Sequence, residues 1–172
     1  MERAALLPGE VGIGGQDRER DRHSPRPEYR PARLGDLEGI ATLEARAFDE
    51  PYVYFMLRQM FDLFGSDWLV AEYDGAVVGY VLILKRNRHA LLFSFAVAEH
   101  LRGYGCGARL LRLAVQRFPA MDVDSVYLTV RPENERARKL FEQTGFVWEQ
   151  HDPNYFGPGE SRDILIYSVA GT

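Results

Sequence analysis

Cysteine is almost missing: there is one, Cys106, in 172 residues. That excludes a disulfide framework and a multi-cysteine zinc site. Lysine is nearly as scarce. Of 21 basic residues only Lys85 and Lys139 are lysines, which we read as coding bias without functional content. No apolar run approaches the roughly 18 residues of a membrane span. No basic flank leads into an apolar core at the N-terminus, as a secretory signal would require. The expectation by elimination is a cytoplasmic protein with no membrane partner. Excess positive charge is also lacking, with a formal net charge of −4 and a pI near 5.6. A protein that coats nucleic acid is usually basic, so no nucleic-acid partner is expected. No His/Asp/Glu grouping has metal-ligand spacing, and no metal is expected.

What is present is ordinary globular material, 46% hydrophobic, 12% aromatic and 27% charged, enough for one sizeable core. Residues 1–27 stand apart. They hold a glycine-rich stretch at 8–15, an alternating charge run at 16–22, and Pro25 and Pro27. With no period and few large apolar residues, this segment is expected to be a disordered tail. Residues 28–172 are expected to form a single domain.

Within that domain the periodicity predicts a strand at 29–32 and a helix begun by Asp36, with Leu37, Ile40, Leu43 and Ala47 on one face. A second helix is predicted over 51–64, with Pro51 in its first turn and Gly65 at its end. Strands follow at 68–73, 77–84 and 91–98, the first two joined by a tight Asp74-Gly75 turn. After them come a helix beyond Gly105, a strand at 124–130, a short helix at 134–144 stopped by Gly145, and strands at 146–149 and 164–169. This order is neither a regular βαβ alternation nor a repeat. It predicts an α/β (α+β) fold, a mixed sheet with helices on both faces.

The chemistry concentrates where a buried strand, Phe95-Ala96-Val97-Ala98, runs into Arg102-Gly103-Tyr104-Gly105-Cys106-Gly107-Ala108 and then a helix. Glycines there let backbone approach a ligand, and the free N–H groups of a helix start capture anions. The helix dipole adds about 0.3–1 kcal/mol, and Arg102 and Arg109 add positive charge. A phosphorylated ligand is expected. The dinucleotide fingerprint fits poorly, because Asp122 and Asp124 precede the next strand, where the ribose-binding acid belongs near that strand's far end. The P-loop lysine-serine pair is absent. A glycine-rich turn that merely joins strand to helix is the structural alternative.

The pattern R-x-x-G-x-G-A-x-x-L over 102–111 resembles the pyrophosphate loop of the GNAT acyltransferase superfamily. Downstream, Leu128-Thr129-Val130-Arg131-Pro132-Glu133-Asn134, then Ala137, Leu140-Phe141 and Gly145-Phe146, resemble the second half of the same superfamily. Asn154-Tyr155-Phe156-Gly157 and the acidic residues after it resemble the N-terminal protein acetyltransferases, including the ribosomal-protein alanine acetyltransferases. The resemblance implies acetyl-CoA as cosubstrate, with Phe95, Ala96 and Val97 offering backbone groups to its pantetheine arm. It implies that Gly103, Tyr104, Gly105, Cys106, Gly107 and Ala108, with Arg102, hold the pyrophosphate. Asn134 faces the cofactor by the same resemblance, with an ordinary helix N-cap as the alternative. The acceptor is then an amine on a peptide, a protein or a small molecule. Tyr52, Tyr155 and Phe156 are candidate contacts for it, and packing is the alternative for Tyr52.

Two positions depart from the family pattern. Its usual proton donor to the leaving thiolate is a tyrosine at the position of Phe141, which has no proton to give. Related alanine acetyltransferases often carry a glutamate base at Thr129, and threonine is no base near neutral pH. Tyr155 and Thr129 are therefore the candidate catalytic residues, with Tyr127 as a further possible donor. A site without a marked carboxylate base favours amines that lose a proton readily. An α-amine, with a pKa of about 7.7–8.0, is cheaper to neutralise than a lysine, at about 10.4, by roughly 3.5 kcal/mol. These residues leave three functions open: acetylation of a protein N-terminus, acetylation of a small amine, and non-catalytic acyl-CoA sensing.

Overall fold

The computed structural model describes Ala4–Ala5 and residues 25–169. Most of the segment expected as a disordered tail lies outside the described residues. Its short strand β1 (Ala4–Ala5) is followed by β2 (Glu28–Pro31), α1 (Leu37–Ala47), α2 (Tyr54–Phe64), β3 (Leu69–Tyr73), β4 (Ala76–Arg86) and β5 (His89–Val97). Then come α3 (Cys106–Arg117), β6 (Ser125–Val130), α4 (Glu135–Gln143), β7 (Val147–Asp152) and β8 (Arg162–Ser168). Apart from β1, this is the predicted order. The main sheet runs β2-β3-β4-β5-β6-β8-β7, and β1 lies on β5.

Helices cover both faces of this sheet. On one side α1 and α2 bury Leu37, Ile40, Leu43 and Leu57 beside Trp68, whose indole N–H donates to the Ile83 carbonyl at 2.9 Å. On the other, α3 and α4 bury Leu110, Leu111, Ala114, Ala137 and Phe141. Phe118, Phe146 and Tyr167 close that second core, Phe118 meeting the other two edge-on and Phe146 tilted against Tyr167. Both cores follow from apolar residues recurring every three or four positions along each helix.

Three local departures from expectation have physical causes. The second helix starts at Tyr54 instead of Pro51, because the backbone at Val53 is extended (φ −77°, ψ 158°) and the Tyr52 N–H is already bonded to the Glu44 carboxylate at 3.0 Å. Asp36 precedes α1 without capping it through its side chain. Its carboxylate instead takes the Arg33 amide at 2.6 Å and both terminal nitrogens of Arg30 at 2.7 Å. Burial alone would push Asp36 up, but those hydrogen bonds and the charge of Arg30 outweigh it and hold the carboxyl below its usual range. Finally, β5 begins at His89, two residues earlier than periodicity indicates, because the hairpin with β4 pairs as far as Arg86 and His89.

Two irregularities of β5 position the site. Pairing with β6 is parallel and covers only His89–Leu91 against Ser125–Tyr127, although β5 continues to Val97 and β6 to Val130. Against β4, Ser94 faces Leu82 while Leu92 faces Ile83, so Phe93 is the extra residue of a β-bulge. Beyond Leu91 the β6-side edge of β5 is released, and Ala4 and Ala5 pair there with Phe95 and Ala96.

Candidate active site

The released edge of β5 leads directly to the start of α3. Gly103 (φ +83°) and Gly105 (φ +77°) adopt left-handed backbone, which glycine enters without the penalty a Cβ imposes. A Cβ on either would meet nothing within 4 Å, so a side chain there would project into the space before the helix end. The Arg109 N–H donates to the Gly105 carbonyl at 2.9 Å. The N–H groups of Cys106, Gly107 and Ala108 therefore precede the first helical bond and point out of the helix end. Gly107 serves close approach: a Cβ would lie 3.3 Å from the Phe95 ring and 3.4 Å from Val97. Arg102 folds back, its Nε donating to the Val97 carbonyl at 3.1 Å. Burial pulls its guanidinium below the usual arginine range, against the opposing pull of Glu99.

This arrangement fits a long ligand with a phosphorylated end. Outward amides at a helix start, with its positive dipole end, suit a diphosphate. An open strand edge suits an extended chain bearing amides, and β1 demonstrates that the edge accepts one. The predicted cradle residues thus come together as backbone, with Tyr104 exposed beside them. The Cys106 thiol does not face the cradle. It is buried against Tyr29, whose hydroxyl is pushed up to about 12 by burial first and then by the charge and hydrogen bond of that thiol. Asn134 caps α4, its side-chain oxygen accepting the Ala137 N–H at 3.1 Å.

Register decides which face each β6 side chain takes. Val126 lies opposite Tyr167, and Tyr167 packs on Phe118 and Phe146 of the α3–α4 side. Alternation then directs Tyr127 and Thr129 to the α1–α2 side. Arg162 and Ile164 share that side, because Ile164 lies opposite Thr129. The loop between β7 and β8 brings Tyr155 and Phe156, with ring centroids 4.7 Å apart. Burial, then the neighbouring Tyr127 and Asp152, push the Tyr155 hydroxyl up, so the two candidate tyrosine donors are electrostatic neighbours. Arg162 is buried with its guanidinium 4.9 Å from the Phe156 ring centre. Its Nη1 donates to the Ser161 carbonyl at 2.6 Å and approaches Glu160 at 3.5 Å, and Arg131 reaches the same carboxylate at 3.5 Å. Tyr52 packs edge-on against Phe93 at 5.4 Å, also on the α1–α2 side.

Phe141 takes the opposite side. Its ring meets Phe95 at 5.9 Å and Phe146 at 6.0 Å, fully buried. The sequence reading missed the buried carboxylate of Glu44, which sits inside the apolar stripe of α1, and Arg162. A charged residue within an otherwise apolar helix face was the available signal for Glu44.

Residues 37–146 match the acetyltransferase (GNAT) family. The chain is 30% identical over 132 residues to an uncharacterized N-acetyltransferase of Methanocaldococcus jannaschii, covering 76% of this chain and 85% of that protein. It is also 30% identical over 155 residues to an N-alpha-acetyltransferase of Sulfurisphaera tokodaii, covering 80% and 92%. The fold superimposes on crystalline Ard1 from Thermoplasma volcanium with a TM-score of 0.77 at 23% identity, covering 84% of this chain and 99% of that one. Released strand edge, glycine cradle and helix start thus occur in a chain that belongs to the acetyltransferase (GNAT) family.

Proposed function

We propose that the protein is a cytoplasmic N-acetyltransferase that moves an acetyl group from acetyl-CoA to the α-amine of a peptide or protein N-terminus. The observation that carries this reading is the released edge of β5 that leads to the amides of α3, with Tyr127 on the α1–α2 face by register and Tyr155 edge-on to Phe156, which meets Arg162 of the same face. Acetyl-CoA supplies the activated acyl group. The backbone of Phe95, Ala96 and Val97 holds its extended arm, and Gly103 through Ala108 hold its diphosphate. A β5 amide is directed at the acyl oxygen and stabilises the negative charge that develops there. The Tyr155 hydroxyl supplies a proton to the departing sulfur. Thr129 orders a water that accepts the proton of the amine. Tyr52 and Phe156 line the path of the acceptor.

The acceptor class follows from the bases at hand. Glu160 is engaged by Arg131 and Arg162, and Glu44 already accepts two hydroxyls and an amide. With neither carboxylate available as a strong base, an α-amine reacts more readily than a lysine. The Sulfurisphaera relative, itself an N-alpha-acetyltransferase, agrees with this acceptor. The test follows thiol release with three acceptors: a free N-terminal peptide, an N-blocked lysine peptide and a polyamine. Fastest turnover on the free N-terminus is expected. Equal or reversed rates remove the α-amine assignment, and cofactor binding without transfer to any amine removes the enzyme assignment in favour of a sensor.

A further inference from the structure

Glu44 is a fully buried carboxylate on α1 that the reaction described above does not use. Its Oε1 accepts the Tyr80 hydroxyl of β4 at 2.7 Å and the Ser94 hydroxyl of β5. Its Oε2 accepts the Tyr52 N–H at 3.0 Å. The same residue's carbonyl accepts the Phe48 N–H at 3.0 Å, closing α1. Both ends of the segment from Phe48 to Tyr52, which leads from α1 toward α2, are therefore held by Glu44. The other two donors lie on the central strands, and Ser94 is the residue next to the β5 bulge and immediately before Phe95.

A carboxylate is the group this junction requires. Every neighbour named is a donor, and the two carboxyl oxygens divide between them. Burying a carboxyl group is unfavourable unless hydrogen bonds replace its water, and three of them do. The hydroxyls of Tyr80 and Ser94 can donate or accept, whereas the Tyr52 N–H can only donate. The tether to the loop is thus the contact that demands an acceptor at position 44, and a leucine there offers none.

We propose that Glu44 is a positioning residue that locks the acceptor-side loop, through the Tyr52 amide, onto the bulge of the cofactor-binding strand, so that the amine-binding side of the site is assembled by one buried carboxylate. The proposal rests on the acetyltransferase reading. It assigns the acceptor loop a fixed place relative to Phe93 and Phe95, with Tyr52 pinned at its amide and packed on Phe93 through its ring.

The test is E44L in the full chain, with S94A and Y80F as comparisons. For E44L, KM for the acceptor should rise at least about tenfold, the scale of one buried donor left without its acceptor. Its acetyl-CoA affinity should stay within about twofold of wild type, because the backbone of β5 is untouched. Hydrogen exchange should quicken at 48–53 and remain unchanged at 92–97. S94A and Y80F keep the Tyr52 tether and each leaves the other hydroxyl on Glu44, so they should lower Tm and raise acceptor KM by less than about threefold. If E44L does not fold, Y52P and Y52A give the same answer from the loop side. Both lose the ring, only the proline lacks the N–H, and the proline variant should show the higher acceptor KM. An E44L protein of lower Tm with unchanged acceptor KM and unchanged loop exchange would overturn the proposal, as would equal KM values for Y52P and Y52A. Should wild type prefer a lysine or a polyamine, the α-amine reading fails by itself. The Glu44 variants are then compared on that amine, and the exchange and affinity measurements need no acceptor.

Discussion

Placing a charge at Gly105 tests the diphosphate cradle directly. The residue has φ +77°, so any side chain there incurs a left-handed penalty of about 1–2 kcal/mol. A Cβ has open space around it, so bulk does not force the helix to move. G105K and G105E share the strain and have similar size, and they differ in sign. At about 6 Å from the phosphates, a unit charge pair is worth about 0.7 kcal/mol in water, by Coulomb's law. Exchanging lysine for glutamate changes the local charge by two units before a ligand group bearing about two negative charges. The two variants should therefore differ by about 3 kcal/mol, or about 100-fold in acetyl-CoA Kd. Titration calorimetry at low salt measures the gap. At about 1 M salt, where the screening length falls to about 3 Å, most of it should vanish. Kd values for G105K and G105E within threefold of each other would place the phosphates elsewhere and refute the assignment of α3 as their binding end.

Tyr155 carries the next prediction. Y155F should lower kcat by about 10²–10⁴-fold, the usual range for a lost general acid, with acetyl-CoA affinity unchanged; an undiminished kcat removes Tyr155 from the reaction. Adding F141Y to Y155F should restore part of that loss, since the hydroxyl then comes from α4, and no recovery means that position 141 does not reach the sulfur. In the wild type, kcat/KM for a peptide should rise with an inflection near the α-amine pKa of about 7.7–8.0. A general acid fails as pH rises through its pKa, and the upward shift of Tyr155 moves that loss beyond the ordinary tyrosine value, so a descending limb near pH 9 would contradict its role. For stability, the depressed carboxyl of Asp36 contributes above its unfolded pKa of about 3.9, and the contribution is lost as pH falls through the lower folded value. D36N should cost about 2 kcal/mol at pH 7 by denaturant titration, with the gap to wild type closing below about pH 4; a constant gap would refute the linkage. Lastly, β1 pairs with Phe95 and Ala96, the edge assigned to acetyl-CoA in the proposed function, so the two should compete. A5P removes a backbone donor from β1 and should tighten acetyl-CoA binding by roughly two- to tenfold, the scale of one net hydrogen bond; unchanged affinity would mean that β1 offers no competition.

The cradle was legible in the sequence because its chemistry is local. Gly103 and Gly105 lie two residues apart, and the left-handed backbone each adopts depends on little outside that stretch. The helices were legible for a related reason, since the apolar stripes of α1, α3 and α4 carry their own period. The start of α2 was not, because a proline at 51 signals a first turn while a carboxylate seven residues upstream holds the following amide out of the helix. The acceptor side was hidden for the same reason. Glu44 gathers donors 8, 36 and 50 positions away, and no window of the chain contains them together.

Position 141 shows how the two kinds of information combine. The absent hydroxyl is evident from the sequence, since phenylalanine has none. Where a replacement could come from depends on strand register. Val126 opposite Tyr167 fixes the faces of β6, and that places Tyr127 across the sheet from Phe141. Tyr155 reaches the same face through Phe156, whose ring meets Arg162. If Tyr155 protonates the sulfur, the acid has moved from the α4 face to the β7–β8 loop. Proton delivery and acceptor binding would then share one boundary, with Tyr155 beside Phe156 at its centre. Changes in that loop should consequently alter kcat and acceptor KM together, whereas changes in the α3 cradle should alter acetyl-CoA affinity alone.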